Sequence, residues 1–255
     1  MKESTMAQTQ ARLDRRQWEP GVYAIVGATG IGKSAEASKL ALSHSAPIVV
    51  ADRIQCYSDL LVTSGRAFDA KVEGLTRVWL DNRTVHQGNF DPDEAFDRLI
   101  KVLTSYVDRG EAVVLEGGSI SLILRFAQTI SNLPFPAVVN VMPIPDRQHY
   151  FAQQCARARQ MLRGDSTGRN LLTELAEAWA VGDQHNFVAS VAGLDCVLDW
   201  CATHSVTPKE LADRDLTMEV LDELAASMGG RYVEHGVLQQ EIFLRTFGAP
   251  GVTAR

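Results

Sequence analysis

A chain of 255 residues that is 45% apolar and 22% charged can build one sizeable core, alone or with a helical appendage, and is not the composition of a disordered or fibrous protein. Its formal charge of −6 and pI near 5.5 leave no overall basic field of the kind that drives non-specific nucleic-acid binding. The longest apolar runs fall short of the roughly 18 residues of a membrane span. Four cysteines at 56, 155, 196 and 201 lack the spacing of a zinc site, and read as reduced, mostly buried thiols of a cytoplasmic protein.

Residues 1–20 are polar and basic, without the apolar segment of a signal peptide, and read as a disordered lead-in. The run 22–26 is a strand. It leads into Gly27-Ala28-Thr29-Gly30-Ile31-Gly32-Lys33-Ser34, after which Ala and Leu recur at helical spacing over 33–45. Strand, Gly-rich loop and helix are the context in which G-x-x-x-x-G-K-[ST] marks a phosphate loop. Gly27, Gly30 and Gly32 let the backbone turn its N–H groups inward, the helix adds the positive end of its dipole, and Lys33 reaches the outer phosphates. A diphosphate or triphosphate belongs here, but the loop does not say whether phosphate is transferred, hydrolysed or expelled.

The β-branched run 47–52 is a buried parallel strand ending on Asp52, and strand ends of open α/β sheets border the ligand crevice. Asp52 therefore faces the phosphate loop. A carboxylate there either accepts from an attacking group or caps a turn and orients magnesium. Residues 53–85 have weak periodicity and read as a short helix followed by active-site loops, among them Thr63-Ser64-Gly65-Arg66. Asp91-Pro92-Asp93-Glu94 starts a helix to 108, and Gly110 ends it. A third buried strand, 112–116, ends on Glu116, either a metal partner or a helix cap, and enters a second Gly-containing turn at Gly117-Gly118-Ser119. A fourth strand covers 137–144. From 146 onward the chain is helical: 146–162, 171–181, 185–204, and 217–247 with an interruption at Gly229-Gly230. The architecture expected is α/β: a phosphate-loop NTPase-like parallel sheet core over 21–145 and a C-terminal helical subdomain over 146–255 that completes the active site.

Three separated motifs narrow the chemistry. Gly-Ala-Thr-Gly-Ile-Gly-Lys-Ser at 27–34, Ala51-Asp52-Arg53-Ile54-Gln55-Cys56 with Thr63-Ser64-Gly65-Arg66 downstream, and Leu115-Glu116-Gly117-Gly118-Ser119-Ile120-Ser121 together resemble the bacterial adenylate isopentenyltransferases, the cytokinin-synthesising enzymes. The likeness covers about 22–241. It implies that the N6 amine of AMP (or ADP or ATP) attacks the allylic carbon of dimethylallyl diphosphate and expels diphosphate. By the same resemblance Thr29, Lys33 and Arg157 bind the diphosphate, Ser34 ligates Mg²⁺, Asp52 accepts from the amine, and Ser64 and Arg66 contact the acceptor. The family's pattern of an arginine four residues before a methionine selects Arg157, followed by Met161, over Arg159 and Arg163. Tyr232 and His235 stand at i and i+3 of the last helix, where a histidine is commonly just a satisfied polar group; the resemblance implies that the pair lines the tail of the prenyl donor. Ala192, before Gly193, stands where family members suited to a hydroxylated donor carry an aspartate, so the plain donor is expected. The rival readings are a tRNA-modifying prenyltransferase, disfavoured by the acidic charge and the lack of a segment for gripping an anticodon stem, a small-molecule kinase, and a nucleotide-binding regulatory module. The sequence is silent on oligomeric state.

Overall fold

The computed structural model describes residues 19–68 and 73–248. The lead-in expected over 1–20 lies, but for its last two residues, outside them. Five parallel strands form one sheet in the order β3-β2-β4-β1-β5: β1 (Gly21–Gly27), β2 (Ile48–Ala51), β3 (Arg77–Trp79), β4 (Ala112–Gly117) and β5 (Ala137–Met142). Helices α1 (Lys33–His44), α2 (Pro92–Val107) and α3 (Ile120–Thr129) make the crossovers. After β5 come α4 (Arg147–Arg163), α5 (Leu171–Trp179), α6 (His185–Ala189), α7 (Leu194–Thr203), α8 (Pro208–Ala212) and α9 (Met218–Phe247).

β1 and β2 are continuous apolar runs because both faces of the sheet are covered there. On one face Ile25, Ile48, Val50 and Val114 pack against Ala37 and Ala41 of α1. On the other, Val22, Ala24, Val26, Val49 and Leu115 join one core that runs through α2, α3, α4 and α9. β1 lies between β4 and β5, so the loops leaving β1 and β4 sit side by side at the carboxyl edge, where such sheets bind ligands.

Several elements differ from expectation for local reasons. β3 is a fifth strand within the stretch read as loops; with three residues, one of them Arg77, it carries no periodicity to detect. The helix expected over 185–204 is two helices, split where Gly193 adopts φ 95°. The helix expected to break at Gly229-Gly230 instead runs unbroken through α9 for 30 residues. Gly229 is there for contact: a Cβ on it would lie 2.5 Å from Cys155 Sγ and 3.1 Å from the α4 backbone. The absent side chain is what lets α4 and α9 approach so closely. Elsewhere the caps are as read: the Asp91 carboxylate accepts from the N–H groups of Asp93 and Glu94, at 2.8 and 3.1 Å, with Pro92 opening α2. Among the described residues no helix is long and apolar enough to cross a membrane.

Candidate active site

The phosphate loop leaves β1 and enters α1 with Gly30 at φ 64° and Gly32 at φ 99°, a left-handed conformation that costs a side-chain-bearing residue more than glycine. No side chain caps α1, which leaves its first N–H groups open to an anion. Lys33 Nζ donates to the Ala28 carbonyl at 2.6 Å. Burial pushes Lys33 down to about 8, against the pull of Glu116 and Asp52. The next residue, Ser34, donates its hydroxyl to Glu116 Oε1, and Glu116 Oε2 pairs with Arg77 Nη1 at 2.6 Å. Arg77 Nη2 in turn donates to Ser38 Oγ at 2.9 Å and the Ser34 carbonyl at 3.2 Å. Glu116 is thus tied to the serine of the loop, not to a helix cap, and β3 supplies the cation that makes its burial tolerable.

Thr29 is held from two helices. Its N–H donates to Gln239 Oε1 of α9 at 2.7 Å, and Gln239 Nε2 donates to the Gly118 carbonyl at 2.6 Å, joining the two glycine turns. Its carbonyl accepts from Tyr150 OH at 2.7 Å and from Gln154 Nε2 at 3.4 Å, while its hydroxyl accepts from Arg157 Nη1 at 2.9 Å. Tyr150, Gln154 and Arg157 project from one face of α4, at i, i+4 and i+7. Sequence reading finds Arg157 but misses Tyr150, Gln154 and Gln239. Gln239 is only 3% exposed, and a buried glutamine on a long helix is the one signal that could have marked it.

A cavity of about 750 Å³ opens beside this loop, within the range of small-molecule sites. Asp52, one residue past β2, lines it with Thr29, Ser64, Arg157, Tyr232 and His235. Asp52 Oδ1 accepts from the N–H groups of Ile54 and Gln55 at 2.9 and 3.3 Å. Its Oδ2 accepts no hydrogen bond among the described residues. Burial raises the Asp52 carboxyl above the usual carboxylate range, opposed by those two N–H groups and by Lys33 and Arg157. Ser64 belongs to a turn gripped from below by the fully buried Glu174, whose carboxylate accepts from Val62 N–H at 2.9 Å and Thr63 N–H at 2.8 Å. Arg66 is not brought to the cavity wall: its guanidinium stacks 3.8 Å over the Trp79 ring and donates to the Gln55 carbonyl at 2.9 Å.

In the same cavity, Tyr232 OH donates to Met161 Sδ at 3.6 Å and burial pushes it up to about 12. His235, half-buried, is lowered by burial and so is neutral at physiological pH. Ala192 lines the cavity as well. Asp195 is also there, but its carboxylate is committed to the Gly193 N–H at 2.8 Å and to Arg231 at 2.5 Å.

The family model for isopentenyl transferase matches residues 20–252. The chain belongs to the isopentenyl transferase family. Within that family it is 95% identical over 255 residues, all of both chains, to an adenylate dimethylallyltransferase of Rhodococcoides fascians. It is 30% identical to one of Pseudomonas savastanoi, with 87% of this chain and 94% of the other covered. The isopentenyl transferase fold is shared with a tRNA isopentenylpyrophosphate transferase of Bacillus halodurans, at TM-score 0.66 and 14% identity over 91% of this chain and 89% of that one. It is shared as well with a eukaryotic dimethylallyltransferase acting on tRNA, at TM-score 0.63 and 13% identity over 90% and 72%.

Proposed function

We infer that this isopentenyl transferase moves the dimethylallyl group from dimethylallyl diphosphate to N6 of AMP, releasing diphosphate, the first step of cytokinin biosynthesis. The full-length 95% relative bears the name of that reaction. The observation that carries the reading here is the free Oδ2 of Asp52, in one cavity with Thr29 and Arg157 of the phosphate-loop wall. In the reaction the N6 lone pair forms a bond to the allylic carbon, the carbon–oxygen bond breaks, and its electron pair leaves on the diphosphate. The N6 proton passes to Asp52 Oδ2. An allylic carbon carries positive charge readily, so the barrier lies in receiving negative charge on diphosphate and holding the amine in line. Lys33, Arg157, the Thr29 hydroxyl and the open N–H groups of α1 serve the first purpose, and Asp52 the second.

Mg²⁺ fits this site as a companion of the diphosphate. No cluster of His, Cys, Asp or Glu that could hold a metal occurs among the described residues, but the Ser34 hydroxyl, its proton directed to Glu116, keeps oxygen lone pairs for a hard cation whose other ligands are phosphate oxygens and water. Bound there, the ion would neutralise charge on the departing diphosphate. The donor tail then lies toward Tyr232, His235 and the Ala192 methyl, where Ala192 offers no carboxylate and that of Asp195 is already paired, which suits the unhydroxylated donor.

The test is incubation of the purified protein with dimethylallyl diphosphate, Mg²⁺ and each of AMP, ADP, ATP and unmodified tRNA, with mass spectrometry of the adenine. A gain of one dimethylallyl group on AMP is expected. Modification of tRNA alone, or ADP formed from ATP with a phosphorylated co-product, would replace this reading with one of its rivals.

A further inference from the structure

Three arginines line the cavity, Arg53, Arg157 and Arg231, and their partners differ. Arg157 stands at the phosphate loop, bonded to the Thr29 hydroxyl. Arg231 is neutralised by Asp195 and, at 3.5 Å, by Glu234. Arg53 has no ion pair among the described residues. Its Nη1 donates only to neutral acceptors, the Phe90 carbonyl at 2.5 Å and Asn89 Oδ1 at 3.1 Å; its Nε is buried without a partner, and Nη2 makes no hydrogen bond there. Asn89 lines the cavity beside it. The segment that holds this guanidinium is itself fixed, since Tyr57 OH donates to the Gly88 carbonyl at 2.6 Å and accepts from Phe90 N–H at 2.7 Å.

A guanidinium anchored by one nitrogen to neutral groups, with donors left over and its charge unbalanced, is a prepared seat for an anion. The donor diphosphate does not need it, because Lys33, Arg157 and α1 already supply the phosphate-loop wall. Arg53 follows directly on Asp52, lines the cavity with Asn89, and is bonded to residues 89 and 90 rather than to the phosphate loop. Resting on the acceptor assignment above, we propose that Arg53, steadied by Asn89 and the Phe90 carbonyl, binds the 5′-phosphate of the acceptor nucleotide and is the residue by which the site tells a nucleotide from a nucleoside.

The experiment compares kcat/KM for AMP and for adenosine, each with dimethylallyl diphosphate, in the wild type, Arg53→Ala and Arg53→Lys. The wild type is expected to favour AMP, and Arg53→Ala to lose about 10- to 100-fold more on AMP than on adenosine, the scale of a charge-assisted hydrogen bond to phosphate. Arg53→Lys, which keeps the charge but not the fork, is expected to fall between them. Equal losses on both acceptors would make Arg53 a prop for the 88–90 segment and overturn the proposal. A wild type that uses both acceptors equally well would overturn it without any variant, so an insoluble Arg53→Ala leaves it testable. If the wild type prenylates neither acceptor, the transferase reading itself fails, and this inference with it.

Discussion

Asp52 is divided between two tasks: one oxygen is consumed by the turn that follows it, and the other is open to the cavity. Replacing it by alanine should lower kcat by about 10²-fold or more, the scale of a positioned base, while the KM for donor stays near wild type; near-normal turnover in steady-state assays would remove it from the mechanism. The pH profile should show both Asp52 and Lys33. Asp52 accepts only when ionised, and burial raises its carboxyl, so kcat/KM falls on the acid side at a higher pH than an ordinary aspartate would give. Lys33 holds its charge below about 8 and loses it above, so kcat/KM for the donor should also decline as pH rises through that value in the free enzyme. A profile flat from about pH 7 to 9.5 would contradict the Lys33 assignment. If the prenyl tail lies against Ala192 as proposed, Ala192→Asp adds a carboxylate to the cavity that His235 also lines. The ratio of kcat/KM for hydroxylated over plain dimethylallyl diphosphate should then rise about 5-fold or more, the cost otherwise paid by a buried hydroxyl short of partners. An unmoved ratio would exclude Ala192 from donor selection. These residues are legible in the sequence because each sits beside a local pattern: a glycine loop, a strand end, a glycine turn.

Elements that act across the chain are less legible. β3 is three residues long and has no pattern, yet it delivers Arg77 to Glu116. Glycines at 229 and 230 read as a break, because glycine is a poor helix former; the gain from close packing against α4 outweighs that weakness. Arg66 reads as an acceptor contact by its place in a motif, whereas its side chain is spent on Trp79 and Gln55. Gln239 has no motif at all, and the loop depends on it. Gln239→Leu would strand the Thr29 N–H and the Gly118 carbonyl, each costing about 1 to 3 kcal/mol if left unpaired. Urea unfolding should show the lost stability, and donor Kd by calorimetry should weaken about 10-fold or more. Gln239→Glu keeps the acceptor for Thr29 but not the donor for Gly118, and should fall between. Wild-type stability and donor affinity in the leucine variant would show that α9 merely covers the loop.

For the molecule as a whole, the proposed role of Mg²⁺ predicts that metal and substrate bind together. With one serine hydroxyl as protein ligand, Mg²⁺ alone should bind too weakly to raise the unfolding midpoint, whereas Mg²⁺ with dimethylallyl diphosphate should raise it. EDTA should abolish transfer and leave the midpoint of the unliganded protein where it was. A thermal scan with each addition checks this, and a clear rise with Mg²⁺ alone would call for a metal site other than Ser34.

The bond between Thr29 and Gln239 joins positions 210 residues apart. The phosphate loop leaves the ribosome well before α9, the helix that completes its geometry. Local pairing cannot finish this site during synthesis; closing so long a loop must wait for the rest of the fold to bring the ends together. A nascent chain can form β1 and α1 early, but the Thr29 N–H finds its partner on α9 only when that helix has docked.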